Sequence, residues 1–442
     1  MKRDLTQGGV AGTMIRFAGP MILGNLLQQC YNIADTLIVG RFLGPGALAA
    51  AGSAYTLMTF LTSVLIGLCM GSGSVYSFHF GRRDEEQMKK SMVIAFFFIA
   101  AVTVVMNILV FLWCDQILRM LKVPETLMEM MHEYVWIIFT GIFFVFLYNY
   151  FSFLLRALGN SVAPLWFLGI AAALNIVLDL LFVVRLSWGI GGAAFATVIA
   201  QAFSGVGIGL YTWLKEPELR PSGKSFLPDK NGVTEILRFS TAACIQQSVM
   251  NFGILMIQGL VNSFGTVVMA AFAAAVKIDS FAYMPAQEFG NAFSIFTSQN
   301  FGARKTERVR QGVASAVRVS VIFCLLVSAA VFVLAPWLMM IFMDGSETEI
   351  IAAGVQYLRI EGACYCGIGI LFLLYGYYRG VGRPEMSVVL TVISLGTRVA
   401  LAYTLAPVFG PGAIWWAIPI GWILADVTGL LYRKRIDTFI VK

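Results

Sequence analysis

Phe80-Gly81-Arg82-Arg83 returns 221 residues later as Phe301-Gly302-Ala303-Arg304, and this echo decides how the chain is divided. Arg156-Ala157-Leu158-Gly159 returns 223 residues on as Arg379-Gly380-Val381-Gly382. Ala47-Leu48-Ala49-Ala50 returns as Val268-Met269-Ala270-Ala271, again at 221. A fixed period of about half the chain means two homologous lobes. The expected partition is a first lobe over 1–215, a connection over 216–232 and a second lobe over 233–442. The connection is the one long polar stretch and carries Pro217, Pro221 and Pro228, as a linker should.

Of the 442 residues, 59% are hydrophobic and 12% charged, with a mean hydropathy of +0.80. A soluble domain carries about 25% charged residues, so this is an integral membrane chain. Twelve apolar stretches fall at 14–40, 45–78, 91–114, 130–155, 162–184, 190–214, 234–262, 266–299, 311–334, 352–377, 385–407 and 412–432. Each is long enough to cross about 30 Å of hydrocarbon as a helix. The expected fold is therefore all-α, with twelve transmembrane helices in two homologous six-helix bundles around a central cleft. A six-plus-six repeat is a common transporter plan. Pro20, Pro285 and Pro419 fall inside spans, where each removes a backbone hydrogen bond and is expected to bend its helix.

Basic residues set the orientation. Lys2 and Arg3, then Arg82, Arg83, Lys89 and Lys90, the Lys215–Arg238 connection, Arg304, Lys305, Arg308 and Arg310, and Arg433, Lys434 and Lys442 share one side. Arg156, Arg379 and Arg383 are placed there too, in short turns. The other side has only Arg41, Arg119, Lys122 and Arg185. Both termini are expected in the cytoplasm. The net charge of +7 expresses this asymmetry, so it points to a lipid bilayer and away from nucleic acid. The apolar run from Met14 is too long for a cleavable signal. The seven cysteines lack metal-type spacing and read as small core residues.

The repeat isolates two acids. By the same offsets Asp35 falls on Met256 and Asp179 on Ala402. Asp35 lies six residues before Arg41, and Asp179 six before Arg185. Both are expected about 9 Å below the outer surface. Thr197 reaches a similar depth on helix 6, and Asn175 lies one turn from Asp179 on the same face. A charge in hydrocarbon costs several kcal/mol and should meet a cavity or a partner. Two close carboxylates without a cation share a proton or hold a metal cation, and both describe an ion-coupling site. The alternative is two unrelated aspartates, each satisfied by backbone or water.

The second lobe is polar differently. Lys277 and Asp279 fall in helix 8, Arg359 and Glu361 in helix 10, and Arg398 in helix 11, where opposite signs can neutralise each other. Arg398 stands at the repeat position of Asn175, against a second, symmetric cation site. Glu288 has no basic neighbour in sequence and is a candidate contact for a cationic substrate. Asp279, Tyr31, Met284, Gln287 and Phe289 are the other candidate cleft residues, with aromatic and thioether surface suited to a greasy cation.

No G-x-x-x-x-G-K-[ST] occurs, and His79 and His132 are too few for a metal cluster. With no catalytic motif, an enzyme is not expected, and no cofactor beyond a coupling ion is implied. Work must come from an ion gradient.

These residues resemble the multidrug and toxic compound extrusion (MATE) family across essentially the whole chain. The resemblance rests on Gly19-Pro20, on Asp35 ahead of Thr36-Leu37-Ile38-Val39-Gly40, and on the Ala-rich start of helix 2. Leu174-Asn175-Ile176-Val177-Leu178-Asp179 and Gln299-Asn300-Phe301-Gly302-Ala303 add to it. It implies two bundles forming a V, a bacterial cytoplasmic membrane, and drug export exchanged for H+ or Na+. In similar proteins the first-lobe site uses an Asp of helix 1, an Asn and an Asp of helix 5, and a Thr or Ala of helix 6. Asp35, Asn175, Asp179 and Thr197 stand at those places, as proton or Na+ ligands. Some members carry acids in helices 7 and 10, where this chain has Gln246 and Gln247 and only Glu361. The expected function is a monomeric antiporter for small amphipathic, mostly cationic compounds, with Pro20 as the bend that links ion to cargo. A flippase for lipid-linked saccharides, in the same superfamily, is the alternative.

Overall fold

The computed structural model describes residues 4–120, 125–227 and 229–440. Lys2, Arg3, Lys122, Pro228 and Lys442 lie outside the described residues. The described backbone is almost wholly helical, with no strand among the described residues. In hydrocarbon no water pairs a free N–H or C=O, so each span must satisfy its own backbone.

The helices are α1 Val10–Gly44, α2 Gly46–Arg82, α3 Glu85–Met120, α5 Val162–Arg185, α6 Gly189–Lys215 and α7 Lys230–Asn262. They continue as α8 Thr266–Gly302, α9 Thr306–Met340, α11 Pro384–Phe409 and α12 Gly412–Ile440. Two spans are bent pairs: α4 (Glu125–Thr140 with Ile142–Ala157, 45°) and α10 (Thr348–Ala363 with Tyr365–Gly380, 52°). Counting each pair as one span, twelve helices among the described residues are long and apolar enough to cross a membrane. Leu112, Trp166, Leu326, Val408 and Phe409 stand largely exposed, as lipid-facing side chains do.

The repeated motifs turn out to be helix caps. Arg83 (φ 60°) and Arg304 (φ 57°) are left-handed at equivalent positions, as are Gly159 and Gly382 (both φ 81°). Each ends its helix with a six-residue closing bond: Asp84 N–H to His79 O (3.0 Å), Lys305 to Asn300 (2.9 Å), Asn160 to Leu155 (2.9 Å) and Arg383 to Tyr378 (2.8 Å). This is the Schellman arrangement, which pairs carbonyls the helix would leave orphaned.

The sharp bends do not sit at the prolines. Pro285, Pro336, Pro407 and Pro419 lie inside helices, and Pro20 inside α1. The bends fall at Gly141 and Cys364, again 223 residues apart. There the ladder tightens to three-residue bonds, Gly141 N–H to Ile138 O (2.9 Å) and Cys364 N–H to Glu361 O (2.8 Å). A Cβ on Gly141 would lie 2.6 Å from Gln201 Oε1 and 3.0 Å from Val198 Cγ2, so α6 packs closely on that bend.

The chain forms two compact units that depart from the sequence partition. The first takes Gly19–Phe80 and Asp84–Cys244, and the second takes Leu5–Ala18, Gly81–Arg83 and Ile245–Lys442. The division thus runs inside α7 and, beside Pro20, inside α1, because helix ends group with what they touch rather than with their own lobe. In the first unit the start of α7 packs on α2: Ser72 and Ser240 hydroxyls bond at 2.8 Å, and His79 Nε2 pairs with Glu235 Oε2 at 3.1 Å. Gly67 and Gly71 permit the approach, since a Cβ on Gly67 would lie 2.6 Å from Cys244 Cα. In the second unit the N-terminal segment is clamped. Arg308 donates to Leu5 O (3.2 Å), Gln7 O (2.7 Å) and Gly8 O (2.8 Å), Lys305 to Thr6 O (2.8 Å), and Asn300 to Leu5 O (3.2 Å). Two of the basic residues assigned by sequence to the membrane surface therefore hold the foot of α1.

The cysteines are free, and Cys30 is exposed rather than core. Arg379 also departs from expectation: α10 runs through it, and it is 4% exposed instead of sitting in a surface turn.

Replacing Arg308 by Gln removes the fork that holds three carbonyls. Amide hydrogen exchange over residues 5–18 is expected to accelerate by at least about tenfold, the size of a lost charge-assisted bond. Unchanged protection there would show that the clamp is not what orders this segment.

Candidate functional site

In the first unit α5 brings Asn175 and Asp179 to one face, both 0% exposed. The α-helical register ends at Asp179, and Leu180–Arg185 winds as a π-helix. Leu186 N–H closes on Leu181 O and Trp188 N–H on Phe182 O, both at 2.9 Å. Phe182 and Trp188 stack at 4.8 Å across this wide turn. A Cβ on Gly192 would lie 2.9 Å from Trp188 Cβ, so glycine is needed where α6 sets off. Such π segments widen a helix and often mark functional positions. Nothing in the apolar run Leu180-Leu181-Phe182-Val183-Val184 announced it.

The four predicted ligands meet. Asp35 on α1 and Asp179 on α5 lie close enough for their carboxyl groups to act on each other. Two buried carboxyl groups approach in this way with a proton between them, or with a cation in its place. Asn175 bridges to α6. Oriented by its partners, its Nδ2 donates to Asp179 Oδ2 at 2.8 Å while its Oδ1 accepts from the Thr197 hydroxyl and N–H, both at 3.2 Å. Thr197 also donates to Ala193 O (3.1 Å). Asp35 Oδ1 and Asp179 Oδ1 are buried without a partner among the described residues.

Tyr31, expected in a substrate cleft, belongs to this cluster instead. It lies one turn before Asp35 on α1, with its hydroxyl near Thr197 and both acids. Tyr134 of α4, 7% exposed and beside both acids, was not singled out by sequence. Among the described residues no three of His, Cys, Asp and Glu converge. A cation here would rely on two carboxylates plus the neutral oxygens of Asn175, Thr197 and Tyr31.

The second unit holds a different knot. Tyr365 donates to Asp279 Oδ1 at 2.6 Å and Tyr357 to Oδ2 at 3.4 Å, and Glu361 lies beside Asp279 and acts on it. Asp279 and Glu361 are 4% and 1% exposed. Asp279 is thus saturated inside its unit rather than presented in a cleft. Arg398 is the cation acting on this pair. Lys277 is exposed, and exposed Arg359 lies over the Phe332 ring at 5.3 Å, so neither joins the network that sequence drew. Helix periodicity points both outward.

Of the remaining cleft candidates, Met284 is partly exposed, Phe289 is buried, and Gln287 lines a small cavity. Glu288 gains a basic neighbour that sequence distance concealed: Arg379 acts on it electrostatically, and Asn291 donates to it at 3.4 Å. Asp426 of α12, 8% exposed with Oδ1 unpaired among the described residues, was also missed.

A duplicated helical scaffold with twelve apolar spans, an Asp35–Asp179 pair in the first copy and an Asp279–Glu361 knot in the second is that of a multi-pass membrane transporter. The family model described as MatE matches residues 20–181 and 242–404, once in each repeat. The probable multidrug resistance protein YpnP of Bacillus subtilis is 32% identical over 435 residues, 98% of this chain and 96% of that protein. The chain belongs to the MatE family. The multidrug export protein MepA of Staphylococcus aureus is 21% identical, over 96% of this chain and 95% of that one. The solved structure of a MOP superfamily transporter from Pyrococcus furiosus has a TM-score of 0.93 at 24% identity, covering 99% of this chain and 98% of that chain. At that identity the likeness speaks to fold.

Asn175→Leu keeps the volume but strips Asp179 Oδ2 of its amide donor, while the Thr197 hydroxyl keeps Ala193 O. The expected cost is about 1–3 kcal/mol, the desolvation of an unpaired buried group. It should appear as a lower unfolding temperature of the purified protein. An unchanged transition would mean that water replaces the amide.

Proposed function

We propose that this transporter is a secondary antiporter that expels small amphipathic compounds, mostly cations, in exchange for an inward-moving ion. It acts as a monomer in the bacterial cytoplasmic membrane with both termini in the cytoplasm. The names of its relatives, which speak of multidrug resistance and export, support the cargo class. The observation that carries the coupling is the contact between Asp35 and Asp179, buried on a scaffold whose other copy has Met256 and Ala402.

An ion arriving from outside neutralises the pair. Without it, two carboxylates repel at short range in a medium of low dielectric. Neutralisation lets α1 reseat around Pro20 and lowers affinity for cargo. Ion and cargo then shift each other's binding by the same coupling energy. Each inward charge contributes about 2.3 kcal/mol per 100 mV of membrane potential. The amide of Asn175 favours a proton over Na+: its Nδ2 faces Asp179, whereas a sodium ion would need Oδ1 turned that way.

Asp35→Asn removes the proton-sharing group while preserving shape. Dye efflux from cells with normal protein levels is expected to fall to background, and undiminished efflux would refute the mechanism. In sealed vesicles of the unaltered protein a proton gradient alone should drive dye uptake. Transport driven by Na+ and not by protons would overturn the proton assignment.

A further inference from the structure

The second unit contains a cavity between α7, α8 and α10 that the acid-pair mechanism does not use. Its walls include Gln246, Gln247, Gln287, Asn291 and Arg379, with Phe372 as an apolar side. Its free space holds about one water molecule. Gln247, Gln287 and Asn291 are partly exposed, so the cavity is open at that end, while Gln246 and Arg379 are 1% and 4% exposed.

The walls are held rigidly. A Cβ on Gly376 would lie 2.5 Å from Gly290 O, and one on Gly290 would lie 2.8 Å from Phe372 O. The two glycines let the backbones of α8 and α10 touch, which fixes Asn291 opposite Arg379. The guanidinium donates to Asn291 Oδ1 at 3.0 Å, and Asn291 Nδ2 in turn donates to Glu288 Oε1 at 3.4 Å. The acid is thereby engaged behind the amide. Among the described residues, those lining the cavity include one cation and no carboxylate. Gln246 Oε1 has no partner among the described residues. Its carboxamide can turn to present either a donor or an acceptor inward.

A desolvated guanidinium beside three glutamine amides and an asparagine repels a second cation and favours an oxygen acceptor. The size admits one carboxylate or carbonyl oxygen in place of a water, with the rest of the molecule outside. We infer that this cavity is a cargo subsite that recognises a carboxylate on an amphipathic compound, so that zwitterions are taken in preference to simple cations. The inference rests on the efflux reading, and it refines the cargo class.

Rhodamine 110, which carries a free carboxylate, and rhodamine 123, its methyl ester, form a matched probe pair. Their affinities for the full chain in lipid nanodiscs can be read by fluorescence polarisation. The unaltered protein is expected to bind the acid more tightly than the ester. Arg379→Gln should shift the affinity ratio toward the ester by about tenfold or more, as for a lost charge-assisted hydrogen bond. Arg379→Lys should restore part of it, and Gln246→Leu should shift it by a smaller factor in the same direction. No preference in the unaltered protein, or a ratio unmoved by Arg379→Gln and Gln246→Leu, would show that the cavity holds water only. Should Arg379→Gln fail to fold, the Gln246→Leu ratio decides alone. Binding is read without an ion gradient. Loss of gradient-driven transport would therefore count against antiport and leave the subsite standing.

Discussion

A peptide group in hydrocarbon has no solvent to pair with, and nearly every feature of this protein follows from that constraint. It makes the spans helical and requires their ends to be closed, which the paired caps at Arg83 and Arg304 and at Gly159 and Gly382 do. Where the ladder departs from the α register, the freed groups find other bonds at once. The three-residue bonds at Gly141 and Cys364 are one case, and the π-helical closure after Asp179 is the other.

Those departures have different standing. The bends of α4 and α10 occupy equivalent places in the two repeats, so they belong to the shared scaffold. The π segment is different: the matching stretch of α11 continues as α-helix through Phe409. It sits beside the acid that the other repeat lacks. Geometry and chemistry diverge together in the first copy, as expected when one half of a duplicated fold acquires a task.

The second unit diverges in its own way. Its buried acids are absorbed by protein donors, Asp279 by two tyrosines and Glu288 by an asparagine beside Arg379. The first unit's acids lie beside each other, with Asp35 Oδ1 and Asp179 Oδ1 unpaired among the described residues, as is Glu361 Oε1 in the second unit. A carboxylate satisfied by fixed donors has little reason to exchange its partner. A carboxyl pair that must share a proton or a cation does, and in the second unit the pair of Asp279 and Glu361 also has two tyrosine donors and Arg398 acting on it.

The repeat, the twelve spans and the four residues Asp35, Asn175, Asp179 and Thr197 were legible in the sequence. Hydropathy, helical rise and a fixed offset are local or additive properties, and they carry depth and helix face along with them. Tertiary structure alone decided that Tyr31 joins the Asp35–Asp179 cluster, that Arg379 lies inside α10 near Glu288 and Asn291, and that Arg308 clamps residues 5–8. Each depends on the rotation of one helix against another. That rotation is set by close glycine approaches such as Gly67 on Cys244 and Gly376 on Gly290, and by bonds between residues up to about three hundred positions apart, which no single segment encodes.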